Sequence, residues 1–146
     1  MNLHRLPWLL AAILCVAASP VFDTVDTSGA NAWSKAQRAT PVTVAISTST
    51  FTPNFAAANN FGITLVHASC PCTLANPTNI VAGQAGQIIV TQSATGSDLI
   101  SSYGSDWKFA GGTAPTLTTT ANAVDVLSYY VIDTTHIAVT ATSDIR

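Results

Sequence analysis

The sequence predicts an all-β protein, an antiparallel β-sandwich or a barrel-like domain preceded by a short helical or signal-like segment. Three observations carry that reading. From about Val42 onward Thr, Ser, Val, Ile and Ala dominate. Apolar residues there recur with period two rather than 3.6. Turn-forming clusters then punctuate the chain at roughly ten to fifteen residues, with no helical pattern between them, which is the spacing of sandwiches and barrels.

Taken in order, the chain opens differently. His4 and Arg5 precede an almost unbroken apolar run from Leu6 to Ala18, ending in the small residues Val16-Ala17-Ala18. That matches the three-part plan of a secretory signal, and an ordinary short apolar helix fits it equally well. The run is shorter than the roughly 20 apolar residues a bilayer span requires. Cys15 does not make a lipidation site, because Leu14 stands where a small residue should precede it. Residues 19–41 read as a linker. Within it, Ala30 to Ala39 offers only a short helical stripe through Trp33, Ala36 and Gln37.

Residues 42–146 form the β-rich part. Val42, Val44 and Ile46 alternate with Thr43, Ala45 and Ser47, as in a strand with one buried face. Phe61, Ile63 and Leu65 repeat that pattern. Gln87 to Gln92 holds the run Ile88-Ile89-Val90, as in a strand covered on both faces. Val124 to Ile132, with Tyr129 and Tyr130 inside it, and Ile137 to Ala141 complete the set. Asn76-Pro77-Thr78-Asn79, Gly83-Gln84-Ala85-Gly86, Gly96-Ser97, Gly104-Ser105 and Gly111-Gly112-Thr113-Ala114-Pro115 read as turns. The Thr116 to Thr120 run reads as a loop or edge strand.

Composition bounds the function. The 146 residues make one ordinary domain. Charged residues are 8% of the chain, about a third of the usual share, so solubility must come from hydroxyls and amides. Five basic against seven acidic residues give a net charge of -2, which offers no footprint for a phosphate backbone. Nucleic acid is therefore not an expected partner, and neither is a stable membrane span.

No motif points to catalysis. His67, Cys70 and Cys72 are the only cluster with metal-ligand chemistry, but structural zinc needs four ligands and no second pair exists. The same three residues lack a group to orient the imidazole for a cysteine nucleophile. Cys70 and Cys72 flank Pro71, and a disulfide across one residue closes a small ring; an unpaired or labile pair is expected, replaceable by serine within about 1 kcal/mol. No Gly-x-Ser-x-Gly elbow is present. All seven acids are aspartates, and the spacing of Asp98, Asp106, Asp125 and Asp133 singles out no pair for glycan hydrolysis. Gly83 to Gly86 and Gly111-Gly112 lack the Lys-Ser/Thr sequel of a phosphate loop. No cofactor and no metal are expected. Among the aromatics, Trp107 beside Lys108 suits either a sugar-stacking platform or, more commonly, a plug at the end of a β-core.

Thr73-Leu74-Ala75-Asn76-Pro77-Thr78-Asn79, followed by Ala82-Gly83-Gln84-Ala85-Gly86-Gln87-Ile88-Ile89-Val90-Thr91-Gln92, resembles a domain common in bacteriophage structural proteins. The resemblance continues through Ala94-Thr95-Gly96-Ser97, Tyr103-Gly104-Ser105-Asp106-Trp107-Lys108-Phe109, Gly111-Gly112-Thr113-Ala114-Pro115 and Val124 to Val131, with Ala32 to Arg38 similar to the usual lead-in. It covers about three quarters of the chain and is specific as a series rather than motif by motif. Two departures stand out. Ser69-Cys70-Pro71-Cys72 replaces a turn with Gly, Asn and a basic residue, and Met1 to Ala18 has no counterpart in proteins that assemble in a host cytoplasm.

The resemblance implies a non-enzymatic C-terminal β-domain of a tail-fibre, minor tail or head-decoration protein located in the virion. Its partners would be itself, as a homo-oligomer with a trimer favoured, other virion proteins and a host-surface glycan. Trp107, Tyr129 and Tyr130 are the expected surface or subunit contacts. The rival readings are a secreted bacterial adhesin or carbohydrate-binding module, for which residues 1–18 are a true signal, and a fragment of a glycan hydrolase.

Overall fold

The computed structural model describes residues 39–145. The signal-like segment 1–18 and the linker up to residue 38 lie outside the described residues. The β-rich part contains nine strands: β1 (Val42–Thr43), β2 (Thr50–Phe51), β3 (Asn60–Thr64), β4 (Cys72–Leu74), β5 (Ala85–Thr91), β6 (Ile100–Tyr103), β7 (Trp107–Phe109), β8 (Val124–Asp133) and β9 (His136–Ile145). Among the described residues the helical content is two 3₁₀ turns, His67–Ser69 and Ala110–Gly112. The all-β expectation holds.

The strands form a six-stranded sheet in the order β1-β3-β5-β8-β9-β7 and a three-stranded sheet in the order β2-β4-β6. From β1 to β6 the chain alternates between them, and each new strand pairs parallel with the one two before it. The path is a coil, solenoid-like, rather than a clear sandwich, where an antiparallel sandwich or barrel-like domain was expected. Antiparallel pairing is confined to β5-β8 and β8-β9, and β7 joins β9 parallel. The reason is in the connections. Parallel neighbours need a crossover, and here the opposite sheet supplies it, whereas the β8–β9 hairpin needs only Thr134 and Thr135 between its strands.

The period-two pattern sets what each strand buries. Phe61, Ile88 and Leu127 align across β3, β5 and β8, and Ile63, Val90 and Asp125 form the next inward row. Phe51 pairs with Leu74, and Leu74 with Tyr103, in the smaller sheet. The apolar residues among these, with Ile137, Val139 and Val131, belong to one core fed by both sheets. At one end Phe55 stacks between Phe61 and Tyr129, at 5.6 and 4.8 Å, with Trp107 edge-on at 6.2 Å. Offset and edge-on rings of this kind contribute beyond their area.

One close approach fixes the junction of β5 with its neighbours. The Asn59 carbonyl accepts hydrogen bonds from Gln87 N at 3.2 Å and from the Tyr129 hydroxyl at 2.7 Å. Gly86 lies so near that a Cβ on it would overlap this carbonyl. The glycine is there for space, not for a left-handed turn.

Of the two expectations for the cysteines, an unpaired or a labile pair, the unpaired one is overturned. Cys70 and Cys72 form a disulfide, with a Cα–Cα separation of 4.4 Å. The 3₁₀ turn folds Cys70 back, its amide donating to Val66 O at 3.1 Å, while β4 turns Cys72 fully into the core. Packing brings together two sulfurs that the spacing alone did not commit.

Candidate functional site

The outward face of the six-stranded sheet carries the even-numbered side chains of β8. Reading across it, Tyr130 aligns with Ala138 of β9, and Ala138 with Lys108 of β7. In the next row Gln87, Ser128 and Thr140 align, and in the one after, Gly62, Ile89, Val126 and Thr142. Small side chains at 128, 138 and 140 leave a depression between two taller ones. It measures about 520 Å³, with Tyr130 on one side, Lys108 on the other and Ala110 closing an end. A second depression of about 250 Å³ continues it past Ala110 toward Pro115 and Ala141.

The groove gathers two features found nowhere else among the described residues. Tyr130 is 52% exposed, whereas every other described aromatic is buried or half-buried. Lys108 is the only Lys or Arg between residues 39 and 145. Its ammonium donates to the Ser105 carbonyl at 2.6 Å, so the long side chain is anchored at the rim. No carboxylate lines the groove.

The three expected contact residues therefore separate. Trp107 and Tyr129 are corrections: both lie in the core, 5% and 4% exposed. Trp107 Nε1 donates to Ala75 O at 3.0 Å, as befits a plug rather than a platform. Burial pushes the Tyr129 hydroxyl up to about 12. Tyr130 alone faces outward. Sequence reasoning named Lys108 only as a neighbour of Trp107, because its alignment with Tyr130 depends on the β7–β9 pairing.

The aspartates are each engaged where they stand. Asp125, buried on β8, accepts from Thr118 N at 2.6 Å and from Asp144 N at 2.7 Å. It thereby ties the 113–123 loop and the irregular end of β9 to the core. Asp98 is buried beside His67, with Nδ1 to Oδ1 at 3.0 Å. Burial would raise its carboxyl, but interactions with Ser93 and His67 outweigh that and hold it below its ordinary value. Gln92 braces the same residue, its amide bonding both Asp98 O at 2.8 Å and Asp98 N at 3.1 Å. Asp133 sits in the exposed β8–β9 turn, where Thr135 N, the His136 ring and the Thr135 hydroxyl lower it to about 2. Asp106 accepts from the Ser105 hydroxyl at 3.3 Å, and its amide donates to the Asn76 side chain at 2.9 Å.

The smaller sheet closes off the remaining polar chemistry. Burial and the charge of Asp125 push the Tyr103 hydroxyl up to about 12, so it stays neutral at physiological pH. Among the described residues no three His, Cys, Asp or Glu side chains are grouped to hold a metal ion. No helix among them is long and apolar enough to cross a membrane. No protein-family model matches the chain, and no curated protein or solved structure is similar to it.

Proposed function

We propose that the chain is a non-enzymatic structural module of a bacteriophage virion, in a tail fibre, minor tail or head decoration, working through assembly and surface recognition. The observation that carries this reading is the outward face of the six-stranded sheet. It is broad, its rows run Gly62-Ile89-Val126-Thr142 and Gln87-Ser128-Thr140, and Lys108 is the lone Lys or Arg among the described residues. Ile89, Val126 and Tyr130 give it apolar surface, which favours association with a partner. The series of motifs quoted from Thr73 to Val131 supports the virion setting. In this setting the subunit contact centres on the Ile89 and Val126 row, and Tyr130 lies near it on the same face. Light scattering on the full chain at micromolar concentration is expected to give a homo-oligomer, with a trimer favoured; a well-ordered monomer overturns the reading.

A secreted adhesin or carbohydrate-binding module is the second reading. The Cys70–Cys72 disulfide favours it, because such bonds persist in oxidising compartments. The groove beside Tyr130 favours it as well. N-terminal mass spectrometry of the exported protein should then find a chain beginning near Ser19.

A further inference from the structure

We propose that the groove between Tyr130 and Lys108 binds a carboxylate-bearing sugar ring, such as a uronic acid residue of an acidic polysaccharide. The proposal rests on reading the domain as a surface-recognition module, in either the virion or the secreted setting.

The argument starts from placement. A chain with very few charges sets, among the described residues, its only Lys or Arg one alanine away from the only exposed aromatic ring, in a single row across three strands. Ala138 between them keeps the gap open, and Ser128 and Thr140 put two hydroxyls on the adjoining row. Each element has a use for one ligand chemistry. The Tyr130 face suits the C–H surface of a pyranose, which stacks on an aromatic ring much as an apolar group does. Ser128 and Thr140 can donate to and accept from ring hydroxyls. Lys108 spends one of three donors on Ser105 O and keeps the rest for an anion.

Charge decides between ligand classes. A neutral sugar would leave the ammonium, bonded to the Ser105 carbonyl, without a counterion in the groove, and a cationic one would be repelled by it. Because no acid lines the groove, the ammonium has no internal counterion there. A flat aliphatic ligand would waste both hydroxyls. An acidic ring satisfies all four side chains at once.

The test is calorimetric titration of the full chain with a short oligogalacturonide, and with a neutral galacto-oligosaccharide of equal length. The oligogalacturonide should bind more tightly, and its affinity should fall as salt is raised from about 0.01 M to about 1 M, as expected for an exposed ion pair. Tyr130→Ala should weaken binding of the acidic ligand about tenfold, with Tyr130→Phe restoring most of it. Lys108→Gln should abolish the preference for the acidic ligand. Equal affinity for the two ligands, no binding of either, or binding that Tyr130→Ala leaves unchanged overturns the proposal. Light scattering on the same sample separates this from the assembly reading: an oligomer that ignores the oligogalacturonide sinks the glycan site alone, and a monomer that binds it sinks the assembly alone.

Discussion

Asp125 shows how much one buried side chain can hold. Its two carboxylate oxygens satisfy two backbone N–H groups from segments with no ladder of their own at that point, Thr118 and Asp144. Removing the acceptor leaves both donors without it, and each unsatisfied buried donor costs about 1–3 kcal/mol. Asp125→Ala is therefore expected to destabilise by about 3 kcal/mol, and Asp125→Asn, which keeps one acceptor oxygen, by clearly less; urea denaturation followed by tryptophan fluorescence measures both. Asp98 carries a pH signature. Its folded carboxyl lies below the ordinary value of 3.8, so its stabilisation is present above that value and is lost as the pH falls through the lower, folded one. Urea midpoints taken from about pH 6 to about pH 2 should drop more steeply for the wild type than for Asp98→Asn in that acid window. The cysteines reverse the direction expected from their spacing. Replacing both by serine opens the ring and puts a hydroxyl where Cys72 is fully buried, so the loss should be about 2 kcal/mol. A calorimetric melt showing a change within about 0.5 kcal/mol would mean that the disulfide and the buried sulfur contribute nothing.

At the scale of elements, two glycines on neighbouring strands make a matched pair. Gly86 on β5 leaves no room for a methyl beside the Asn59 carbonyl, whereas a Cβ on Gly62 of β3 would meet nothing within 4 Å. Gly86→Ala should push β5 off its register with β3 and cost about 2–3 kcal/mol. Gly62→Ala should stay within about 0.5 kcal/mol, since it points outward from the same sheet. Thermal melts of the two variants give the comparison directly, and equal losses would show that the close approach is not what holds β5. The long strands were readable for the same reason these glycines matter. Over Ala85–Thr91 and Val124–Asp133 the alternation has enough repeats to reveal a face. Thr50–Phe51, Cys72–Leu74, Ile100–Tyr103 and Trp107–Phe109 are only two to four residues long. No period can show itself in so short a run, so β2, β4, β6 and β7 were invisible as strands.

At the scale of the whole molecule, the six-stranded sheet has one covered face and one open one, and the smaller sheet is only three strands wide. The open face is where assembly would act. Val126 lies on it between Ile89 and Thr142, so Val126→Lys should leave the fold intact while placing a charge where copies meet. The expected result is a fall in mass by light scattering with an unchanged circular dichroism spectrum; an unchanged mass would remove this face as the contact. Composition and alternation were sufficient to determine that the chain makes sheets and which stretches form the long strands. They could not determine the direction of pairing, because parallel and antiparallel strands bury alternate residues alike. They also could not say which of Tyr129 and Tyr130 faces out, since the even-numbered residues include Val124, Val126 and Ile132, whereas Asp125 and Asp133 share the odd-numbered set with Leu127 and Val131. Tertiary structure decided both. The coil through two sheets set the pairing, the Asn59 carbonyl drew the Tyr129 hydroxyl inward, and the parallel docking of β7 on β9 brought Lys108 into line with Tyr130 across Ala138, an alignment that exists only between strands remote in sequence.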